Sequence, residues 1–168
     1  MLNQGGVEAL NTVPSESNGR HLLNDNLLSH SPVSLTAFLT EVCASFHERC
    51  EALNVVCGID ASPEIPSPAG TQVLTKVLKL MIEDALSAMP DGGQLDLVGV
   101  ANANGYEIEI SDSGDRHWDL PSEAPSELWS HGQHLALAAG MELDAARCPQ
   151  GGIARTLLIP RQAARAAA

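Results

Sequence analysis

The sequence predicts an α+β protein, a two-layer α/β sandwich with three helices on one face of a mixed, mostly antiparallel sheet. Three segments repeat apolar residues at the helical spacings of three, four and seven, and five short segments read as strands, four of them in pairs joined by turn residues. Their order is helix, strand, helix, strand pair, loop, helix, strand pair. Helices gathered on one side of a sheet is the simplest two-layer solution for that series. With 168 residues and 44% apolar content, the chain can build one domain with a real core.

Residues 1 to about 33 are rich in Asn, Ser, Gly and Pro, broken only by "HLL" and "NLL". Such a stretch buries too little to offset its ordering entropy, so a polar, disordered tail is expected, with Leu22 to Leu28 as the segment able to dock. From Ser34 to Leu53, the residues Leu35, Phe38, Leu39, Val42, Phe46 and Leu53 form one helical face. "NVVCGID" reads as a strand and "ASPEIPSPAG" as a loop, while Ser67 and Pro68 suit the cap and first position of a second helix reaching Met89.

That second helix has the widest apolar arc: Leu74, Val77, Leu78, Met81, Ile82, Ala85, Leu86 and Met89, with Val73 and Leu80 added. Lys76, Lys79, Glu83 and Ser87 face out, and Asp84 falls at the edge of the arc. "PDGG" supplies the stop. "QLDLVGVA" and "YEIEISD" follow as a hairpin marked by Asn104-Gly105. In the second of these strands Asp112 shares a face with Tyr106, Ile108 and Ile110, so a carboxylate ends the buried side. A loop with Trp118 and Trp129 leads to a third helix over His131 to Gly140, and a hairpin from "LDAAR" to "IARTLLIP" closes the domain. The expected boundaries are a tail over 1–33, a domain over 34–162 and a tail over 163–168.

Nine Lys and Arg against 21 Asp and Glu give a formal charge of −12. A field of that sign repels phosphate backbones and anionic lipid, which argues against nucleic-acid and membrane partners. The four cysteines lack the spacing of a secreted disulfide scaffold, and "MLNQGGVEAL" has neither the basic start nor the apolar run of a signal peptide. No segment approaches the roughly 20 apolar residues that span a bilayer. A cytoplasmic protein with reduced thiols is expected.

Four segments then carry a resemblance. "VLKLMIEDALSAMPDGGQLDL", "ISDSG", "GQHLALAAG" and "GGIARTLLIPR" resemble, in order, the N-box helix with its following strand, the D-x-G-x-G box, the G-L-G-L-A box and the terminal strand of the sensor histidine kinase ATP-binding domain. That fold is shared with gyrase-type ATPases and grouped as the GHKL family, and the resemblance runs from about Ser34 to Arg161. It implies a site for ATP and Mg²⁺, with Asp84 standing where the family has its metal-coordinating Asn and Asp112 where it has the adenine-binding Asp. Gly114, Gly132, His134 and Ala136 fall in the glycine boxes.

Departures from the pattern are concentrated at the phosphate end. The two Asn of the family's Asn-x-x-x-Asn-Ala correspond to Leu80 and Asp84. Leu80 offers no hydrogen bond. Asp84 could ligate Mg²⁺ through oxygen, but it adds negative charge beside a triphosphate, and Ser87 stands where many relatives have Lys or Arg, so nothing nearby offsets it. Arg116 replaces the second Gly of the D-x-G-x-G box, and Ile153 replaces a frequent Thr. His134 occupies a Gly position, where a side chain would obstruct a phosphate cradle of backbone N–H groups. The loop from Gly114 to Gly132 is short for an ATP lid.

Matches and departures together imply a degenerate histidine-kinase-like ATPase domain. It would serve as a regulatory or interaction module in bacterial-type signal transduction, with weak or absent ATP binding and no phosphoryl transfer. A signalling protein would be its partner: a kinase, a response regulator or a sigma-factor pathway protein. One alternative is an active Mg-ATP-binding histidine or anti-sigma-type protein kinase, with Asp84 as metal ligand and Glu83 as general base. A second is a nucleotide-free phosphotransfer protein using His47 of "FHERC", although residues 1 to 33 are too few and too polar for a dimerising hairpin. Glu83 reads more simply as a surface partner of Lys79. Cys43, His47 and Cys50 share a helical sector, with Cys57 seven residues on, so a Zn²⁺ site is conceivable; small buried side chains are the plainer reading. His131 and His134 share a helix side without a third ligand.

Overall fold

Alternation along each strand decides which side chains meet the helices, and the register makes those choices agree across the sheet. The computed structural model describes residues 34–68, 71–115 and 126–161. Its elements are α1 (Leu35–Ala44), α2 (His47–Leu53), β1 (Val55–Ala61), α3 (Thr71–Ser87), β2 (Gly93–Asn102), β3 (Gly105–Asp112), α4 (Glu127–Ala138), β4 (Glu142–Arg147) and β5 (Ile153–Pro160). The sheet order is β1-β2-β3-β5-β4. β1 and β2 are parallel, with α3 as the crossover that parallel neighbours require. The other three pairs are antiparallel. The expected mixed, mostly antiparallel α+β sandwich is therefore the fold.

One row of the core-facing side runs Ile59, Leu97, Ile110, Arg155, Ala145 across all five strands. The next row holds Gly99, Ile108, Leu157 and Leu143. Gly99 gives α1 room: a Cβ there would lie 2.8 Å from Leu35 and 3.1 Å from Leu39, both fully buried. From α3, Leu74, Val77, Leu78, Met81, Ile82, Ala85 and Leu86 complete the core.

Some boundaries differ from expectation. The stretch from Ser34 to Leu53 forms two helices. Ser34 caps α1, its Oγ accepting from the Ala37 N–H at 3.2 Å. At the other end the Ser45 N–H and Oγ both donate to the Val42 carbonyl, and the Phe46 N–H donates to Cys43 three residues back. This tighter turn breaks the helix yet keeps Phe46 buried, so the apolar period passes through the break. α2 ends at Asn54, whose left-handed backbone (φ 54°) turns the chain into β1. Val73, assigned to the apolar arc of α3, is 36% exposed. The β2–β3 connection is Ala103 and Asn104, with Gly105 already paired to Asn102, whose Oδ1 accepts from both the Asn104 and Gly105 N–H groups.

α4 begins at Glu127 rather than His131, which places Trp129 in a helix and in the core instead of on a loop. Arg116, Trp118 and both predicted tails lie outside the described residues. Among those described, no helix is long and apolar enough to cross a membrane.

Candidate functional site

Three core-facing charges meet at one end of the layer between α3 and the sheet. Asp84 follows Leu80 by one turn on α3, and its position on the helix turns it inward, fully buried. Asp112 ends β3 on the face shared by Ile108 and Ile110 and is 4% exposed. On β5 the alternation Ile153, Arg155, Leu157, Ile159 aims a guanidinium into the same layer, and Arg155 is fully buried. Register pairs Arg155 with Ile110, two residues before Asp112 on that face.

The guanidinium sits between the two carboxylates. Arg155 donates from Nε and Nη2 to Oδ2 of Asp84, at 3.0 and 2.7 Å. Its Nη1 donates to Oδ2 of Asp112 and, at 3.3 Å, to the Ile153 carbonyl. The second oxygen of Asp112 accepts from the Gly114 N–H at 2.8 Å, and the second oxygen of Asp84 accepts from the Ser126 hydroxyl. Burying an ion costs several kcal/mol unless its partners are complete. Here they are: among the described residues no buried side-chain nitrogen or oxygen lacks a partner. The charge on Asp84, for which the sequence showed no nearby offset, is met by Arg155.

Ser126 ties the cluster to α4. It caps that helix, its Oγ accepting from the Trp129 N–H at 3.0 Å while donating to Asp84. Because α4 is already wound from Glu127, residues 132 to 136 lie inside it, where each N–H is used by the carbonyl four residues back. They form no cradle of free donors. The reason expected was obstruction by His134, and the observed reason is different. His134 is exposed, its Nδ1 lying 2.8 Å from the Ser130 carbonyl of its own helix.

The structure thus brings Asp84, Asp112 and Gly114 together and leaves the helix-four residues in packing roles. Gly114 passes close to α3, since a Cβ there would come within 2.5 Å of the Ala88 carbonyl. Gly132 is buried against Leu80 and Leu143, where a Cβ would make ordinary contact at 3.8 and 3.4 Å. Ala136 is fully buried in the core. Glu83 pairs with Arg49 of α2 rather than with Lys79. His47 is 70% exposed and lies 3.3 Å from Glu51. Among the described residues, no three His, Cys, Asp or Glu are placed to hold a metal ion.

Arg155 and Ser126 were not singled out from sequence. The signal for Arg155 was available: a charged residue on the apolar side of an alternating strand is buried, and a buried Arg requires partners. Ser126 followed by Glu127 is a cap and an acidic first turn.

This architecture is the fold of histidine kinase catalytic domains. The catalytic domain of histidine kinase ThkA superposes with a TM-score of 0.65 at 15% identity, covering 76% of this chain and 92% of that one. The cytoplasmic segment of histidine kinase QseC gives 0.58 at 17%, covering 80% of each. The Acinetobacter baumannii histidine kinase AdeS gives 0.63 at 15%, covering 76% of this chain and 66% of that one. No family model matches the sequence, and no curated protein does either.

Proposed function

We propose that this chain is a nucleotide-independent regulatory module on the histidine-kinase ATPase fold, acting in cytoplasmic signal transduction through a signalling protein partner. The observation that carries this reading is Arg155, whose guanidinium is bonded to the carboxylates of both Asp84 and Asp112. By the resemblance, those are the residues that would hold Mg²⁺ and adenine.

The residues present do not fit Mg-ATP. Both oxygens of Asp84 are engaged, and its side chain and that of Arg155 have no solvent-accessible surface. A divalent cation on Asp84 would have to displace the Nε and Nη2 groups of the buried Arg155 from that carboxylate, and breaking a buried pair costs about 3–5 kcal/mol. Leu80, at the neighbouring turn, packs beside Gly132 instead of supplying a polar group. Phosphoryl transfer depends on a metal and positioned charges around the phosphates, and that equipment is what the triad supplants. What remains for function is the surface of the fold, offered to another protein. One solved structure of this fold is histidine kinase ThkA in complex with its response regulator TrrA, and a response regulator, a kinase or a sigma-factor pathway protein is the class of partner proposed.

Incubation of the full chain with γ-labelled ATP and Mg²⁺ tests the catalytic half of this reading. Neither labelled protein nor released phosphate is expected. Metal-dependent phosphate release that disappears in Asp84→Ala would establish the kinase alternative instead.

A further inference from the structure

Cys43 of α1, Cys50 of α2 and Cys57 of β1 meet where the first two helices cover the edge strand of the sheet. All are free thiols. Cys50 Sγ lies 3.4 Å from Cys57 Sγ, and Cys43 is close enough to act on the Cys57 thiol. His47 is exposed and paired with Glu51, and among the described residues no three His, Cys, Asp or Glu are placed to hold a metal ion. Two sulfurs in contact with a third alongside is an arrangement for sulfur–sulfur chemistry. A disulfide needs Sγ atoms about 2.05 Å apart, a closure of about 1.4 Å from the observed separation. The two residues flank a short connection: α2 has three residues after Cys50, and Asn54 turns directly into β1.

We propose that Cys50 and Cys57 are a redox modification site that takes a low-molecular-weight disulfide as oxidant and closes to a bond tying α2 to β1. Cys50 is 5% exposed, whereas Cys57 is only partly covered, so reagent reaches Cys57 before Cys50. The Cys57 thiolate attacks one sulfur of the small disulfide. That S–S bond breaks, a mixed disulfide forms on Cys57, and one small thiolate leaves and takes up a proton. The Cys50 thiolate then attacks the Cys57 sulfur, forming the Cys50–Cys57 bond and expelling the second small thiol. Two protein thiols lose two electrons and two protons, and the small disulfide gains both. Burial pushes the Cys57 thiol well up, and its hydrogen bonds with Cys50 and Cys43 push the same way. Burial also raises Cys43. Thiolate is therefore scarce at neutral pH, and closure should accelerate about tenfold per pH unit as pH rises towards the thiol range.

The test uses the full chain under native conditions with oxidised glutathione, followed by alkylation and peptide mapping. A peptide pair linked through Cys50 and Cys57 is expected, reversible by dithiothreitol, formed faster at higher pH and retained in Cys148→Ser. Cys50→Ser should lose that cross-link and keep glutathione on Cys57. Three results would overturn the assignment: glutathione adducts in the parent with no cross-link, a bridge formed mainly by Cys43, or a cross-link that appears only in urea. The parent chain alone decides among these, so a variant that fails to fold does not obscure the outcome.

Discussion

The layer between α3 and the sheet has two ends that are held by different physics. At one end Leu35, Leu39, Ile108 and Leu157 are fully buried and wholly apolar. At the other, Asp84, Asp112 and Arg155 are buried as an ion-paired cluster. The apolar end is stabilised by area and volume, which are non-directional and forgiving. The charged end depends on specific pairing, so removing one member leaves the others buried and unpaired. Dense burial at both ends thus conceals opposite sensitivities to substitution.

The largest expected effect follows from that contrast. Arg155→Ala should destabilise the fold by about 3–5 kcal/mol, because it strands two carboxylates out of water. Denaturant titration reads this directly. Replacing all three charges together, Asp84→Asn, Asp112→Asn and Arg155→Met, should recover a large part of the loss. If the triple variant is no more stable than Arg155→Ala, the account of the charged end is wrong.

In the apolar core, Leu78→Ala should cost about 2–5 kcal/mol, from lost transfer energy and the cavity left behind, and Leu78, like Ile82, is fully buried. The sharper comparison lies in coupling. Asp112→Ala combined with Arg155→Ala should be non-additive by about 0.5–3 kcal/mol, whereas core substitutions well apart from each other should add. Equal additivity at both ends would erase the distinction.

Smallest of the three is Ser126→Ala, about 0.5–2 kcal/mol for a lost helix cap, with part of the effect falling on Asp84. Amide hydrogen exchange should show faster exchange in the first turn of α4 and little change in β4.

The apolar end was legible because period is a property of sequence. The 3.6 spacing of α3 and the alternation of β2, β3 and β5 each name their buried face without reference to the others. The charged end needed two elements read jointly. Asp112 was visible as a carboxylate on an apolar strand face, but its partner Arg155 lies 43 residues away, and nothing local in β5 names a carboxylate. Asp84 was placed at the edge of the helical arc because the wheel shows only its angle; the guanidinium that makes full burial tolerable comes from β5. The break at Ser45 escaped notice for the converse reason, since Phe46 remains buried and the period survives the tightened turn. The helix read from His131 puts His134 in a first turn, where N–H groups are free to face a phosphate. The extra winding of α4 from Ser126 moves it into the helix interior, where those N–H groups are used.

Calorimetric titration of Mg-ATP into the parent chain is the decisive measurement, with Arg155→Met, Asp84→Asn and Leu80→Asn combined as the companion variant. No saturable heat is expected in the parent, because Asp84 and Asp112 are already bonded to Arg155, and any gain of binding is expected only in the variant that removes the guanidinium. Micromolar Mg-ATP binding by the parent, abolished by Asp84→Ala, would contradict that expectation and mark the triad as a closed state of a working nucleotide site.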